Sequence, residues 1–412
     1  MTNSETKNFS QNVSSSYHLE DRCKCNKNTC ANTCNVPKLR FKGYNDEWVE
    51  KRIEKVLKIK HGKDQKAIEN NDGIYPILAT SGEIGRSNTF LWDKPCVLIG
   101  RKGTINKPQY MDTPFWTVDT LFYSDVFQNN NAKYLYYLFN TINWKKYDES
   151  TGVPSLSAKT IERIKIKISN NLREQEKIAS FLTLIDKKIE KQKELVELLK
   201  KYKRGLLSAI FSQKMRFKDD NGNNYPAWEE KRLGDICKIV GGGTPDTNNV
   251  KYWGDDINWF TPTEIIKKYA DSSNRKISRL GLLKSSAKIL PIGTVLLTTR
   301  ATLGEMSILS IEATTNQGFQ SLIPVKDEVS SEFIYYCQPI IKHFCYKYAN
   351  GSTFLEISKQ TLAKLKLMIP NKDEQNKISD FLSKFDNKIQ QEECILSNLK
   401  TYKKGLLQQM FI

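Results

Sequence analysis

The sequence predicts an α+β protein, with two globular domains separated by two long helices that pair as an antiparallel coiled coil, the whole forming a pseudo-twofold internal repeat. Three observations predict it. Residues 172–211 align without a gap on residues 372–411, at a constant offset of 200, with 17 of 40 positions identical. Both copies keep an apolar 4-3 alternation, and neither contains a proline. The intervening stretches are punctuated by Gly and Pro and carry short β-rich runs.

In chain order, residues 1–36 are rich in Ser, Asn and Thr and read as a disordered tail. Cys23, Cys25, Cys30 and Cys34 crowd into it with C-x-C-x4-C-x3-C spacing, which is not a standard zinc pattern. Thiolates this dense could hold a soft metal; a dispensable extension without metal is the favoured reading. The other five cysteines are scattered, as suits reduced thiols.

Residues 37–171 read as a small α+β domain, with strands at Tyr75–Leu78, Cys96–Ile99 and Leu121–Tyr123 and a helical stretch near Tyr134–Asn143. The first long helix occupies 172–215. Its seam runs through Ile178, Leu182, Ile185, Ile189, Gln192, Val196 and Leu199, then Lys203, Leu206 and Ile210. Residues 216–370 form a second α+β domain, with strands at Ile236–Val240, Thr294–Thr298 and Ser307–Leu309 and a helical stretch over Ser331–Tyr346. The second helix, 371–412, carries Ile378, Leu382, Phe385, Ile389, Glu392, Leu396 and Leu399, then Lys403, Leu406 and Met410. The polar members Gln192 and Glu392 fall at matching points, where a buried polar residue fixes register at a cost in stability. Neither helix can bury its stripe alone. The two copies bury it against each other, or each lies on its own globular neighbour. At ~1.5 Å per residue each helix is ~57 Å long.

The repeat reaches beyond the helices. Arg40-Phe41-Lys42 and Trp48–Arg52 resemble Arg216-Phe217-Lys218 and Trp228–Arg232. Gly152–Ser157 before IERIKIKI parallels Gly351–Ser358 before LAKLKLMIP. Between these ends the two domains diverge, which predicts a duplicated scaffold carrying two different inserts.

The 412 residues hold 64 Lys and Arg against 46 Asp and Glu, a net charge of +18 that favours a polyanionic partner. The tail (+1) and the helix blocks 172–216 (+6) and 371–412 (+1) leave +10 in the two globular regions, where nucleic-acid contact is expected. No apolar run approaches the roughly 18–20 residues of a membrane span, and no signal peptide is evident, so a cytoplasmic protein without membrane contact is expected.

Two loops follow apolar strands in matching places. One carries Arg101, Lys102, Thr104 and Asn106, the other Arg300 and Thr302. Arginine can fork onto phosphate or guanine, and hydroxyls can take phosphate oxygens; the alternative is that each Arg pairs with a local carboxylate. Gly243 and Thr244 lie in a Gly-rich turn that lacks the Gly-Lys-Ser/Thr of a P-loop and is read as a turn near DNA. No motif of a methyltransferase or metallohydrolase appears, and no catalytic residue is assigned.

As a set, these residues resemble the DNA-specificity subunits of type I restriction–modification systems, from Pro37 to Ile412. The telling pieces are Glu174-Gln175…Ile178…Phe181-Leu182…Asp186…Ile189, Lys203-Arg204-Gly205-Leu206-Leu207 and their copies. With them go IGRKGTI after YPI…SGEIG in the first domain, and Gly241–Pro245, Tyr252-Trp253-Gly254 and Thr315-Asn316-Gln317-Gly318 in the second. The resemblance implies a non-catalytic subunit whose two target-recognition domains each read half of a bipartite site on double-stranded DNA, with the helices as a spacer. It implies two methyltransferase subunits that bind S-adenosylmethionine and two restriction subunits that use ATP and Mg, leaving no cofactor to this chain. A stand-alone DNA-binding regulator is the alternative; an enzyme in its own right is a third reading.

Overall fold

In a computed structural model the chain is described over residues 19–21, 35–300, 302–350 and 355–412. It folds as two compact units, Met1–Val196 with Gln391–Ile412, and Glu197–Gln390. Each unit thus joins one globular domain to the start of the helix that follows it and the end of the other helix. Among the described residues no helix is long and apolar enough to cross a membrane, and no group of three or more His, Cys, Asp or Glu could hold a metal ion. The four clustered cysteines lie outside the described residues. Leu19–Asp21, within the stretch expected to be disordered, is a strand.

The first unit contains β1 (Leu19–Asp21), β2 (Leu39–Phe41), β3 (Val49–Arg52), β4 (Leu57–Lys60), β5 (Tyr75–Ala79), β6 (Gly82–Ser87), β7 (Cys96–Gly100), β8 (Gln109–Met111), β9 (Trp116–Thr117) and β10 (Leu121–Val126). Then come α1 (Ala132–Phe139), α2 (Ala158–Arg163), β11 (Lys165–Ile168) and the long α3 (Leu172–Phe211). One sheet has the order β4-β10-β7-β8; a second has β6-β5-β9, with β9 parallel to β5. β1 pairs with β2, and β3 pairs with β11 at the base of the domain.

The second unit follows the same plan. Its elements are β12 (Glu229–Arg232), α4 (Leu233–Ile236), β13 (Cys237–Gly241), β14 (Trp253–Phe260), β15 (Tyr269–Ala270), β16 (Arg275–Ile277), α5 (Arg279–Leu283), β17 (Val295–Leu297), β18 (Met306–Leu309), β19 (Thr314–Thr315) and β20 (Gln320–Pro324). α6 (Ser331–Tyr336), α7 (Gln338–Tyr348), α8 (Lys359–Ala363), β21 (Lys366–Ile369) and α9 (Lys372–Met410) complete it. The sheet β13-β20-β17-β18-β15 repeats the first with one added strand, and β16-β14-β19 again pairs its short strand parallel to the neighbour. The base pair is β12 with β21. The expectation of two different inserts is therefore corrected: the side chains diverge, but the strand order does not.

The repeated residues are those that tie helix to domain. Each long helix starts on an asparagine, Asn171 or Asn371, whose side-chain oxygen accepts the Glu174 amide (3.3 Å) or the Glu374 amide (3.1 Å). Glu174 is fully buried and accepts from Arg40 Nε (2.6 Å) and Nη2 (2.9 Å); Glu374, equally buried, accepts from Arg216 Nε (2.8 Å) and Nη2 (2.9 Å). Gln175 takes the Asn131 amide at 2.8 Å, and Gln375 takes that of Ser330 at 2.9 Å. The Arg-Phe-Lys repeat is explained in the same way, since Phe41 meets Phe181 and Phe217 meets Phe381 edge to face, at 5.7 and 5.4 Å.

Every seam position named from the sequence is buried or half-buried. Both ways of covering the stripe are used. Ile178, Phe181, Leu182 and Ile185 join the core of the first domain, together with Leu406, Met410 and Phe411 from the end of α9. In the second unit Ile378 and Leu382 join Ile210, with Leu207 and Phe211 packed against them. Phe411 packs on Trp48 and Tyr134, and Phe211 packs on Trp228 and Phe333. The helices run antiparallel within the first unit, since Asp186 pairs with Lys403 and Gln192 with Glu392.

Candidate nucleic-acid interface

In each domain the loops after the apolar strands converge at one end of the sheets. In the first domain the Arg101 and Lys102 amides both donate to the Thr120 carbonyl (2.9 and 3.3 Å), and the Gly103 amide donates to Pro154 (2.7 Å). The Thr80 hydroxyl, at the β5–β6 tip, donates to the Lys102 carbonyl at 3.2 Å. Gly103 sits at φ +90°, a left-handed conformation that a Cβ would strain. Asp148 shapes the neighbouring loop by accepting from the Ser155 and Ser150 amides, and these bonds hold its carboxyl below the usual range.

The second domain repeats this framework. The Asn316 amide donates to Phe260 (3.0 Å) as the Val118 amide does to Leu78 (3.1 Å), and the Thr299 amide donates to Gly318 (2.7 Å) as that of Arg101 does to Thr120. These bonds fix the correspondence. Arg101 matches Thr299, Lys102 matches Arg300, and Asp119 matches Gln317. The two arginines are thus one position out of register, a shift that strand ends alone do not reveal.

Both arginines pair with carboxylates, Arg101 with Asp119 and Arg300 with Glu356 (2.8 Å). Asp119 is 69% exposed and Glu356 38%, so each pair is wet, contributes at most about 1 kcal/mol, and can be exchanged for a phosphate. Lys102 and Asn106 are exposed and Thr104 half-buried, none with a side-chain partner among the described residues. Thr302 is exposed, its hydroxyl 3.4 Å from the Pro262 carbonyl. Thr244 donates to Gln317, which joins the Gly-rich turn to the loop cluster. Gly243 is buried; its amide donates to Thr315 (2.8 Å) and its carbonyl accepts from the Trp259 indole (2.9 Å), leaving no backbone group for a phosphate.

One constellation escaped the sequence reading. Tyr137 donates to Asp186 (2.8 Å), which pairs with Lys403; Tyr336 donates to Asp386 (2.7 Å), which pairs with Lys203. Each lysine also lies 5.4 Å from the centre of that tyrosine ring. Burial pushes both phenols far above their ordinary range. The signal was the pair of Tyr-Tyr dipeptides at 136–137 and 335–336, each about fifty residues before its aspartate.

Fold and loops define a class: an internally duplicated protein with two domains, in which one backbone framework presents two different sets of polar side chains. Residues 45–200 and 226–401 match the family described as type I restriction modification DNA specificity domain, and the chain belongs to that family. The type I restriction enzyme MjaIX specificity subunit of Methanocaldococcus jannaschii is 36% identical over 194 residues, 46% of this chain. The EcoR124I/EcoR124II specificity subunit of Escherichia coli is 26% identical over 270 residues, 62% of this chain. In these matches the chain spans 45% and 63% of the relatives' length. The solved S subunit from M. genitalium superposes with a TM-score of 0.60 at 17% identity, covering 92% of this chain and 99% of that one. A chain from a solved type I R-M system gives 0.57 at 15%, covering 88% and 97%. At these identities the likeness shows the fold.

Proposed function

We propose that the chain is the non-catalytic specificity subunit of a type I restriction–modification complex, working on DNA in the cytoplasm. One observation carries the reading. A single hydrogen-bonded framework is built twice, and the side chains it presents differ, with Lys102 against Arg300 and Asp119 against Gln317. The same framework implies the same act, and different side chains imply different half-sites, since base edges are told apart by their donor and acceptor patterns. Exposed Lys102, Thr104, Asn106 and Thr302, with Arg101, Arg300 and Thr244, would supply the contacts, and Gly243 would hold the turn. The paired helices would set the spacing between half-sites. Two methyltransferase subunits holding S-adenosylmethionine and two restriction subunits using ATP and Mg would supply the chemistry. Co-expressing the chain with its methyltransferase subunit and sequencing methylated bases tests this. The expected result is a bipartite, asymmetric motif that depends on both chains; methyl transfer or DNA cleavage by this chain alone would refute it.

A further inference from the structure

The second domain holds a cation that neither loop cluster accounts for. Arg275 on β16 is the direct cross-strand partner of Trp259 on β14, so the two side chains share a face of that sheet. Its guanidinium carbon stands 3.6 Å from the ring centre of Trp253 and 5.5 Å from that of Trp259. The two rings meet edge to face, 5.0 Å apart at 86°, and form a corner around it. Both indoles are fixed to the Gly-rich turn, since Trp259 donates to the Gly243 carbonyl (2.9 Å) and Trp253 to that of Asp246 (3.1 Å). The turn packs closely on Ser286 and Ala287, where a Cβ at Gly243 would meet Ser286 Oγ at 2.2 Å and the Ala287 nitrogen at 2.5 Å. The strand leading into Arg275 is tied to the loop cluster, where the Asn274 amide donates to Glu264 at 2.6 Å and Glu264 in turn accepts from the Thr261 hydroxyl at 2.6 Å.

Arg275 is exposed, and no carboxylate pairs with it among the described residues. Arg101 and Arg300, by contrast, each have a carboxylate partner. Stacking holds a guanidinium flat while leaving its N–H groups, which lie in its own plane, open to a two-pronged acceptor. A side chain already held in place also loses less rotamer freedom when a ligand arrives. The corner orders a planar fork beside the DNA-facing loops and leaves its charge unsatisfied.

We propose that Arg275, held by Trp253 and Trp259, contacts DNA in the second domain by donating two parallel hydrogen bonds to a bidentate acceptor, either the O6/N7 edge of guanine or a backbone phosphate. This rests on the DNA-reading function proposed above. In the test, the complex of the full chain with its methyltransferase subunit is bound to a pool of random duplexes, and the selected sequences are read for wild type, Arg275→Gln and Arg275→Lys. A guanine contact predicts that Arg275→Gln loses discrimination at one position of one half-site, by about tenfold or more, with the other half-site unchanged. Arg275→Lys, which keeps the charge but not the fork, then loses it as well. A phosphate contact predicts uniformly weaker binding with the motif intact and the salt slope lowered by about one. Thermal unfolding and the preference at the other half-site report whether each variant is folded. Should Arg275→Gln unfold the second domain, Arg275→Leu, which likewise removes the charge, carries the same readout. A folded variant without the charge that keeps wild-type motif, affinity and salt slope overturns this inference alone; a wild-type chain that forms no complex or selects no bipartite motif overturns the function above and this inference with it.

Discussion

Removing the Glu174 carboxylate would measure how firmly a helix is anchored to its domain. In Glu174→Ala the Arg40 guanidinium loses the acceptor of its 2.6 and 2.9 Å bonds, and the Ser169 hydroxyl loses its own acceptor at 2.5 Å. Arg40 is only 2% exposed and its Nη1 has no hydrogen-bond partner among the described residues, so bulk water replaces little of what is lost. Stranding a buried charge in this way costs about 3–5 kcal/mol. For a unit of this size that lowers the melting temperature by roughly 6–20 °C. Glu374→Ala is expected to cost less, because Arg216 is 28% exposed and can be rehydrated. Replacing both members, as Arg40→Met with Glu174→Leu, removes the charge and the guanidinium donors together, leaves only the Ser169 hydroxyl without its acceptor, and should recover most of the loss. Urea unfolding combined with hydrogen exchange would assign each change to its unit. A loss under about 1 kcal/mol for Glu174→Ala, or a double variant no better than the single, would refute the reasoning.

Other consequences follow from the same contacts. Gln192 donates to Glu392 across the seam at 2.6 Å, so Gln192→Leu should cost about 1–3 kcal/mol in urea unfolding, whereas Gln192→Leu with Glu392→Leu should restore stability. Burial raises the Tyr137 and Tyr336 phenols and pushes the Cys96 and Cys237 thiols up to about 12. A raised folded pKa stabilises below the unfolded value and is lost as pH climbs past it, so stability should be level to ~pH 8.5 and fall above it. Tyr137→Phe and Tyr336→Phe should flatten that fall above ~pH 10, as urea unfolding at a series of pH values would read. Lengthening both helices by one heptad at the level of Gln192 and Glu392 adds ~10 Å, or about three base pairs, and should widen the spacer of the methylated motif without changing the bases read.

The scaffold was legible in the sequence because it is written twice. A seam repeated at a fixed offset marks the helices, and the repeated Arg-Phe-Lys and Glu-Gln segments are two halves of one buried contact, Arg40 with Glu174 and Arg216 with Glu374. Which end of which helix enters which core was not legible, since Phe211 and Phe411 look alike and only the folded chain shows that Phe411 packs on Trp48. The shared strand order of the domains was hidden because sheets constrain alternation and burial, not identity, so that β7 and β17 share only a Val-Leu pair, Val97-Leu98 and Val295-Leu296, too short to mark a repeat. The loop arginines were legible as residue types, but their one-position offset was not, because the hydrogen bonds that align the loops run between backbone groups. Arg275 was missed for a related reason: its two tryptophans lie on another strand, and no local pattern brings them together.

The most direct test changes one matched loop position in each domain and reads the methylated motif. Lys102→Gln should alter bases in one half-site only, Arg300→Gln should alter bases in the other only, and the spacer should stay fixed in both. If either substitution changes both half-sites together, the two domains are not separate readers on one framework, and the account is contradicted.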